Sequence, residues 1–185
     1  MKTRAELAVT LHHFKEFIQE ENSILSIVLK GQLLIEKEIE SLINSVYQNA
    51  SVLNLDRMFF PNKIDLLIAI GALSIDEGNT YKLFNKLRRK FAHNIEYCMS
   101  KENLDEVISS FTARHHALDE ILNKLEDEID IVENTKRVIR ILLDLLLWQN
   151  AEDPEKNIKS GEYISAEEIE DYVRRHRNGE FEENI

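Results

Sequence analysis

The stretch from Ser23 to Gln48, SILSIVLKGQLLIEKEIESLINSVYQ, constrains the fold more than any other part of the chain. Its apolar residues Ile24, Leu25, Ile27, Val28, Leu29, Leu33, Leu34, Ile35, Ile39, Leu42, Ile43 and Val46 recur with helical spacing but cover more than one narrow stripe. A helix that is apolar on more than one side must be enclosed by several neighbours, so this segment is expected at the centre of a helical bundle. Ser23 is suited to cap its N-terminus. Gly31, inside the helix, costs about 1 kcal/mol of helix propensity relative to Ala, which predicts close approach of another helix there. Glu36, Glu38 and Glu40, with Lys37 beside them, read as a solvated face rather than as paired carboxylates for acid–base chemistry.

The rest of the chain supplies the neighbours. Five Gly and two Pro among 185 residues leave few breaks, and no alternating strand pattern competes, so the fold class is all-α. Residues 4–20 place Leu7, Leu11, Phe14 and Ile18 on one helical face, with His12 and His13 as surface and boundary residues. Asn49 to Asn62 breaks the pattern; Pro61 then favours a new helix from Asn62 that Gly71 stops. Ser74 to Gly78 reads as a polar connection, and its two adjacent acids, Asp76 and Glu77, lack the fuller oxygen pattern of a metal site.

Further helices are expected over 79–98, 102–128 and 133–149. His115 and His116, in the second of these, project about 100° apart and are expected at the surface. Residues 1–150 thus form one helical domain. Residues 151–185 form a polar linker containing Pro154 and an additional C-terminal helix from Ser165, whose Arg174, Arg175 and Arg177 suit its negative end.

Charge and cysteine content bound the function. A formal net charge of -11 means that the surface at large repels nucleic acid, so a polyanion could bind only at a local basic concentration. Cys98 stands alone and cannot form an internal disulfide. The first residues lack the layout of a secretory signal, and the apolar cluster Ile139 to Trp148 falls short of the roughly 20 residues that cross a bilayer. The expectation is a cytoplasmic protein that does not span a membrane, with no zinc spacing, phosphate-cradling glycine loop or serine or cysteine nucleophile signature.

The basic concentration exists in one helix, Asn79 to Cys98, NTYKLFNKLRRKFAHNIEYC. Thr80 can cap it, and Tyr81, Phe84, Leu87, Phe91, Ile95 and Cys98 form its apolar stripe. Opposite stand Lys82, Lys86, Arg88, Arg89 and Lys90, and His93 ends the run. Arg88, then Arg89, Lys90, Phe91 and Ala92, then His93 resemble the signature of the HEPN superfamily, an Arg followed after a short interval by a His. The blocks GQLLIEKEIESLI, FPNKIDLLIAIGAL and LRRKFAH are similar in order and spacing to the mannitol-operon-repressor-like branch of that group. One departure is Arg89, where the family often has Asn.

The resemblance implies a HEPN-like helical bundle and, in active members, metal-independent RNA cleavage without a cofactor, in a cleft where two protomers bring their Arg and His pairs together. On this reading Arg88 and His93 are catalytic, Lys82, Lys86, Arg89 and Lys90 guide RNA, and the chain is a homodimeric toxin or defence effector, with an antitoxin or regulatory protein as a further partner. The alternative from the same resemblance is a non-catalytic transcriptional regulator or protein-interaction module; the acidic surface and missing helix-turn-helix weigh against direct, specific DNA reading by it. One geometric difficulty remains: on an ideal helix Arg88 and His93 diverge by about 140°, whereas Arg89 and His93 diverge by only about 40°.

Overall fold

The long apolar segment forms α2, Ile24–Val46, and it lies at the centre of the molecule. The structure, a computed structural model, describes residues 2, 4–94, 96–122 and 130–150; the expected linker and C-terminal helix lie outside the described residues. The other helices are α1, Arg4–Phe14, continued by a π-helical turn over Lys15–Gln19; α3, Phe60–Ala69; α4, Ile75–His93; α5, Lys101–Ile108; α6, Ala113–Leu122; and α7, Ile131–Asn150. Short 3-10 turns over Ala50–Leu53 and Leu55–Arg57 join α2 to α3. The protein is all-α, with no strand among the described residues.

The most extensive contact runs between α2 and α7. In α7, Val138, Ile139 and every residue from Ile141 to Leu147 are buried, so this helix is enclosed on nearly all sides. Gly31 marks the crossing: a Cβ built there would lie 2.5 Å from Ile139 Cδ1 and 2.9 Å from both Cγ1 and Cγ2. The glycine therefore lets the two backbones approach, as its cost in helix propensity predicted. Ser23 caps α2 by accepting a hydrogen bond from Ser26 N at 3.4 Å. Pro61 sits in the first turn of α3, which begins slightly before the expected Asn62, and Gly71 turns the chain after it at φ 77°.

Four expectations need correction. The acids of α2 are not a solvated face. Glu38 is buried and takes Lys2 Nζ at 2.6 Å and Thr10 Oγ1 at 2.8 Å. Glu36 and Glu40 together hold the buried Lys63 of α3, Glu36 at 2.5 Å. Burial works against the Lys63 ammonium, but the hydrogen bonds and charge of Glu36 and Glu40 outweigh it and raise its pKa. A buried charge survives only when paired in this way.

The expected helix over 102–128 is two helices. The chain turns over Ser109 to Thr112, where Ser110 Oγ donates to Val107 O at 2.6 Å and Thr80 Oγ1 donates to Ser110 O at 2.8 Å. In the first turn of α6, His115 is fully buried rather than at the surface. Its Nδ1 accepts the Thr112 backbone N–H at 3.2 Å, and its ring stacks on Phe111 at 5.0 Å between centroids. Burial first, then the charges of Arg114 and His116, push its pKa down to about 3.

The basic helix also begins earlier than Thr80. Ser74 and Glu77 form a capping box: Ser74 Oγ accepts Glu77 N at 3.1 Å, and the Glu77 carboxylate accepts Ser74 N at 2.7 Å. Glu77 also takes Arg114 of α6 at 2.8 Å. Gly78 lies against Ile68 of α3, whose Cδ1 would be 2.4 Å from an added Cβ. Tyr81 donates its hydroxyl to Leu142 O of α7 at 2.7 Å. The N-terminal half of α4 is thus fastened to three neighbours, and Tyr81, Phe84 and Leu87 of the expected stripe are buried. The helix ends at His93, so Cys98 lies beyond it and is exposed. No helix among the described residues is long and apolar enough to cross a membrane.

Candidate functional site

Anchoring one end of α4 leaves its last turns to form the wall of a cleft of about 610 Å³. From α4 come Asn85, Arg88, Arg89 and His93; from α2, Gln32 and Glu36; and from the approach to α3 and its first turn, Met58, Phe59, Phe60, Pro61 and Asn62. Asn85, Arg89 and His93 follow one another at four-residue steps along a single helix stripe, with Arg88 beside it. The angular difficulty of the Arg88 and His93 spacing is therefore met without a distorted helix, because the cleft wraps far enough around α4 for both arginines to line it with His93.

The rest of the basic run points elsewhere. Lys82 pairs with Asp65 of α3 at 2.6 Å, Lys86 pairs with Glu106 of α5 at 2.9 Å, and Lys90 lies 5.8 Å from the centre of the Tyr97 ring. None of these lysines lines the cleft. Arg88, Arg89 and His93, by contrast, have no carboxylate within ion-pair distance among the described residues. The negative end of α4 favours cations in its last turn. That dipole accounts for the positive charge but leaves the two guanidinium forks free for another anion.

Among the described residues of the lining Glu36 is the one carboxylate, and Lys63, which it shares with Glu40, offsets part of its charge from below. The two arginines therefore outweigh the partly offset carboxylate in the charge that the cleft offers. Gln32, on the floor, is 2% exposed, and neither atom of its amide has a hydrogen-bond partner among the described residues. An unpartnered buried polar group costs about 1–3 kcal/mol. Asn85 is also buried. Phe59, at the opposite wall, is 78% exposed.

No protein-family model, no curated protein and no solved structure matches this chain. The cleft therefore has to be interpreted from its own chemistry. It combines two guanidinium groups without an ion-pair partner among the described residues, one exposed imidazole, amides and an aromatic wall, a set suited to a phosphorylated organic ligand and to proton transfer beside its phosphate. Among the described residues no group of three or more His, Cys, Asp or Glu side chains could hold a metal ion.

The sequence pointed to Arg88, Arg89 and His93, but not to Gln32, Asn85 or Phe59. A signal for the first two was present. Gln32 falls between Val28 and Ile35 on the apolar side of α2, and Asn85 follows Tyr81 and Phe84 on that of α4. An amide in phase with a core stripe is a polar group that needs a partner.

Proposed function

We propose that this protein is a HEPN-like, metal-independent endoribonuclease in which His93 transfers protons and Arg88 and Arg89 hold the phosphate undergoing attack. The observation supporting this reading is the meeting of both arginines and His93 in one cleft, none of them ion-paired with a carboxylate among the described residues. In the reaction the ribose 2'-oxygen forms a bond to the adjacent phosphorus and the bond from phosphorus to the 5'-oxygen breaks. The 2'-hydroxyl loses a proton and the departing 5'-oxygen gains one, leaving a cyclic phosphate and a 5'-hydroxyl. An imidazole can take part in such transfers near neutral pH. The guanidinium forks oppose the negative charge that accumulates on the phosphorane oxygens.

The partner arrangement proposed is a homodimer. Leu25 and Leu33 stand 45% and 66% exposed on α2, apolar surface that a second copy could cover. Light scattering from the purified protein tests that assembly directly.

The decisive assay is cleavage of labelled RNA in the presence of chelator by wild type and His93→Ala. Loss of general acid–base catalysis is expected to slow the reaction by at least about a hundred-fold while helical circular dichroism is unchanged. Equal rates overturn the role of His93. No cleavage by either protein, together with retarded migration of DNA at physiological salt, would favour the regulator reading instead.

A further inference from the structure

The two arginines account for a phosphate, yet most of the cleft lining is not suited to one. Its side-chain amides include Gln32 and Asn85, which are 2% and 8% exposed and make no hydrogen bond with any described residue. For Gln32 the absence of partners extends to both amide atoms, which are sealed from solvent. Each amide carries a donor and an acceptor side by side, the same alternation that the edge of a nucleobase displays.

Phe59 adds an independent observation. It is a large apolar side chain, 78% exposed, in the wall of a cleft that also holds two cations. Exposed aromatic rings beside cationic grooves are the platforms on which unstacked bases rest. The cleft volume of about 610 Å³ is also in the range of sites that enclose small organic ligands.

We propose that the cleft is a recognition site for one unpaired nucleotide of single-stranded RNA. Its base stacks on Phe59, the amides of Gln32 and Asn85 read the base edge, and Arg88 and Arg89 hold the adjoining phosphate. The Gln32 amide gives up no hydrogen bond to a described residue in turning toward the base. This inference rests on the RNA reading above and adds base selectivity to it. A base within a duplex is hidden by its own pairing and stacking, so duplex RNA is excluded from the site.

The test uses the full chain carrying His93→Ala, with calorimetric titration of short homopolymers of A, C, G and U, duplex RNA and inorganic phosphate. One homopolymer is expected to bind about ten-fold or more tightly than the others, and Phe59→Ala to weaken it by about ten-fold or more. Gln32→Met and Asn85→Ala are expected to level the four affinities. Phe59 is exposed, so its variant tests stacking without disturbing the core. Four equal affinities that Phe59→Ala leaves unchanged would overturn the base site while leaving RNA binding intact. Failure to bind any homopolymer would overturn the RNA reading and the base site with it.

Discussion

Acid should unfold this protein through His115 before carboxylate protonation contributes. The imidazole is fully buried, its Nδ1 already accepts the Thr112 N–H, and its Nε2 has no partner among the described residues. Arg114 and His116 add positive charge beside it, and Glu77, the nearest acid across from α4, is engaged by Arg114. Protonation in the folded state would bury a second cationic group beside Arg114. With a pKa of 6.5 unfolded and about 3 folded, the unfolded chain binds the proton first, so stability falls as pH drops through 6.5 and continues falling toward 3.

The linkage relation gives a loss of about 1.4 kcal/mol between about pH 7.5 and pH 5.5, and about 2.7 kcal/mol by about pH 4.5. Urea unfolding monitored by circular dichroism across that range measures the wild-type slope. His115→Leu, close in volume, forfeits the Thr112 hydrogen bond at every pH but removes the titrating group. Subtracting the two profiles cancels other titrations, including that of Asp144, whose pKa is raised by burial against the opposing effect of Arg140. The difference should close by about 1.4 kcal/mol per pH unit below pH 6. Parallel profiles, or an NMR titration of the His115 ring in the ordinary histidine range, would refute the reasoning.

At the crossing of α2 and α7, Gly31→Ala gains about 1 kcal/mol of helix propensity but drives a methyl group into Ile139. Overpacking costs of about 1–3 kcal/mol should prevail and lower the Tm by several degrees. The loss should shrink in an Ile139→Ala background, and a Tm series on the double variant tests that coupling. For RNA binding, Arg88→Ala or Arg89→Ala should weaken affinity and reduce the salt dependence by about 0.7 per phosphate contact. Lys82→Ala and Lys86→Ala should have smaller effects, because Asp65 and Glu106 already hold those ammonium groups. Fluorescence anisotropy at several salt concentrations separates the two pairs, and equal losses would place binding outside the cleft.

Periodicity was enough to locate α2, α3, α4 and α7, because each buries a face set by the spacing of its own apolar residues. Local backbone chemistry was legible too where one residue suffices: Ser23 as a cap, Gly31 as a crossing and Gly71 as a stop. What escaped the sequence depends on partners distant along the chain. The positions of Glu36, Glu38 and Glu40 do not reveal that Lys63 of α3 and Lys2, ahead of α1, arrive to pair with them. His115 read as polar and therefore external, whereas the Phe111 ring and Thr112 backbone provide an interior setting for it. The Ser74 and Glu77 box was readable from spacing, but the polar composition of that stretch suggested a connection instead. At the candidate site, the Arg88 and His93 pattern singled out one wall. The facing wall comes from Gln32 and from Phe59, whose proximity follows only once α2 and α3 pack on α4.

The Lys63 arrangement gives the cleft an electrostatic foundation that no ligand can reach. Glu36 belongs both to the group around Lys63 and to the cleft lining, so replacing Lys63 by an uncharged residue would leave Glu36 and Glu40 unopposed and strengthen their repulsion of every incoming anion. A side chain hidden from solvent thereby governs the long-range field at the mouth, and damage there would mimic the loss of a surface arginine.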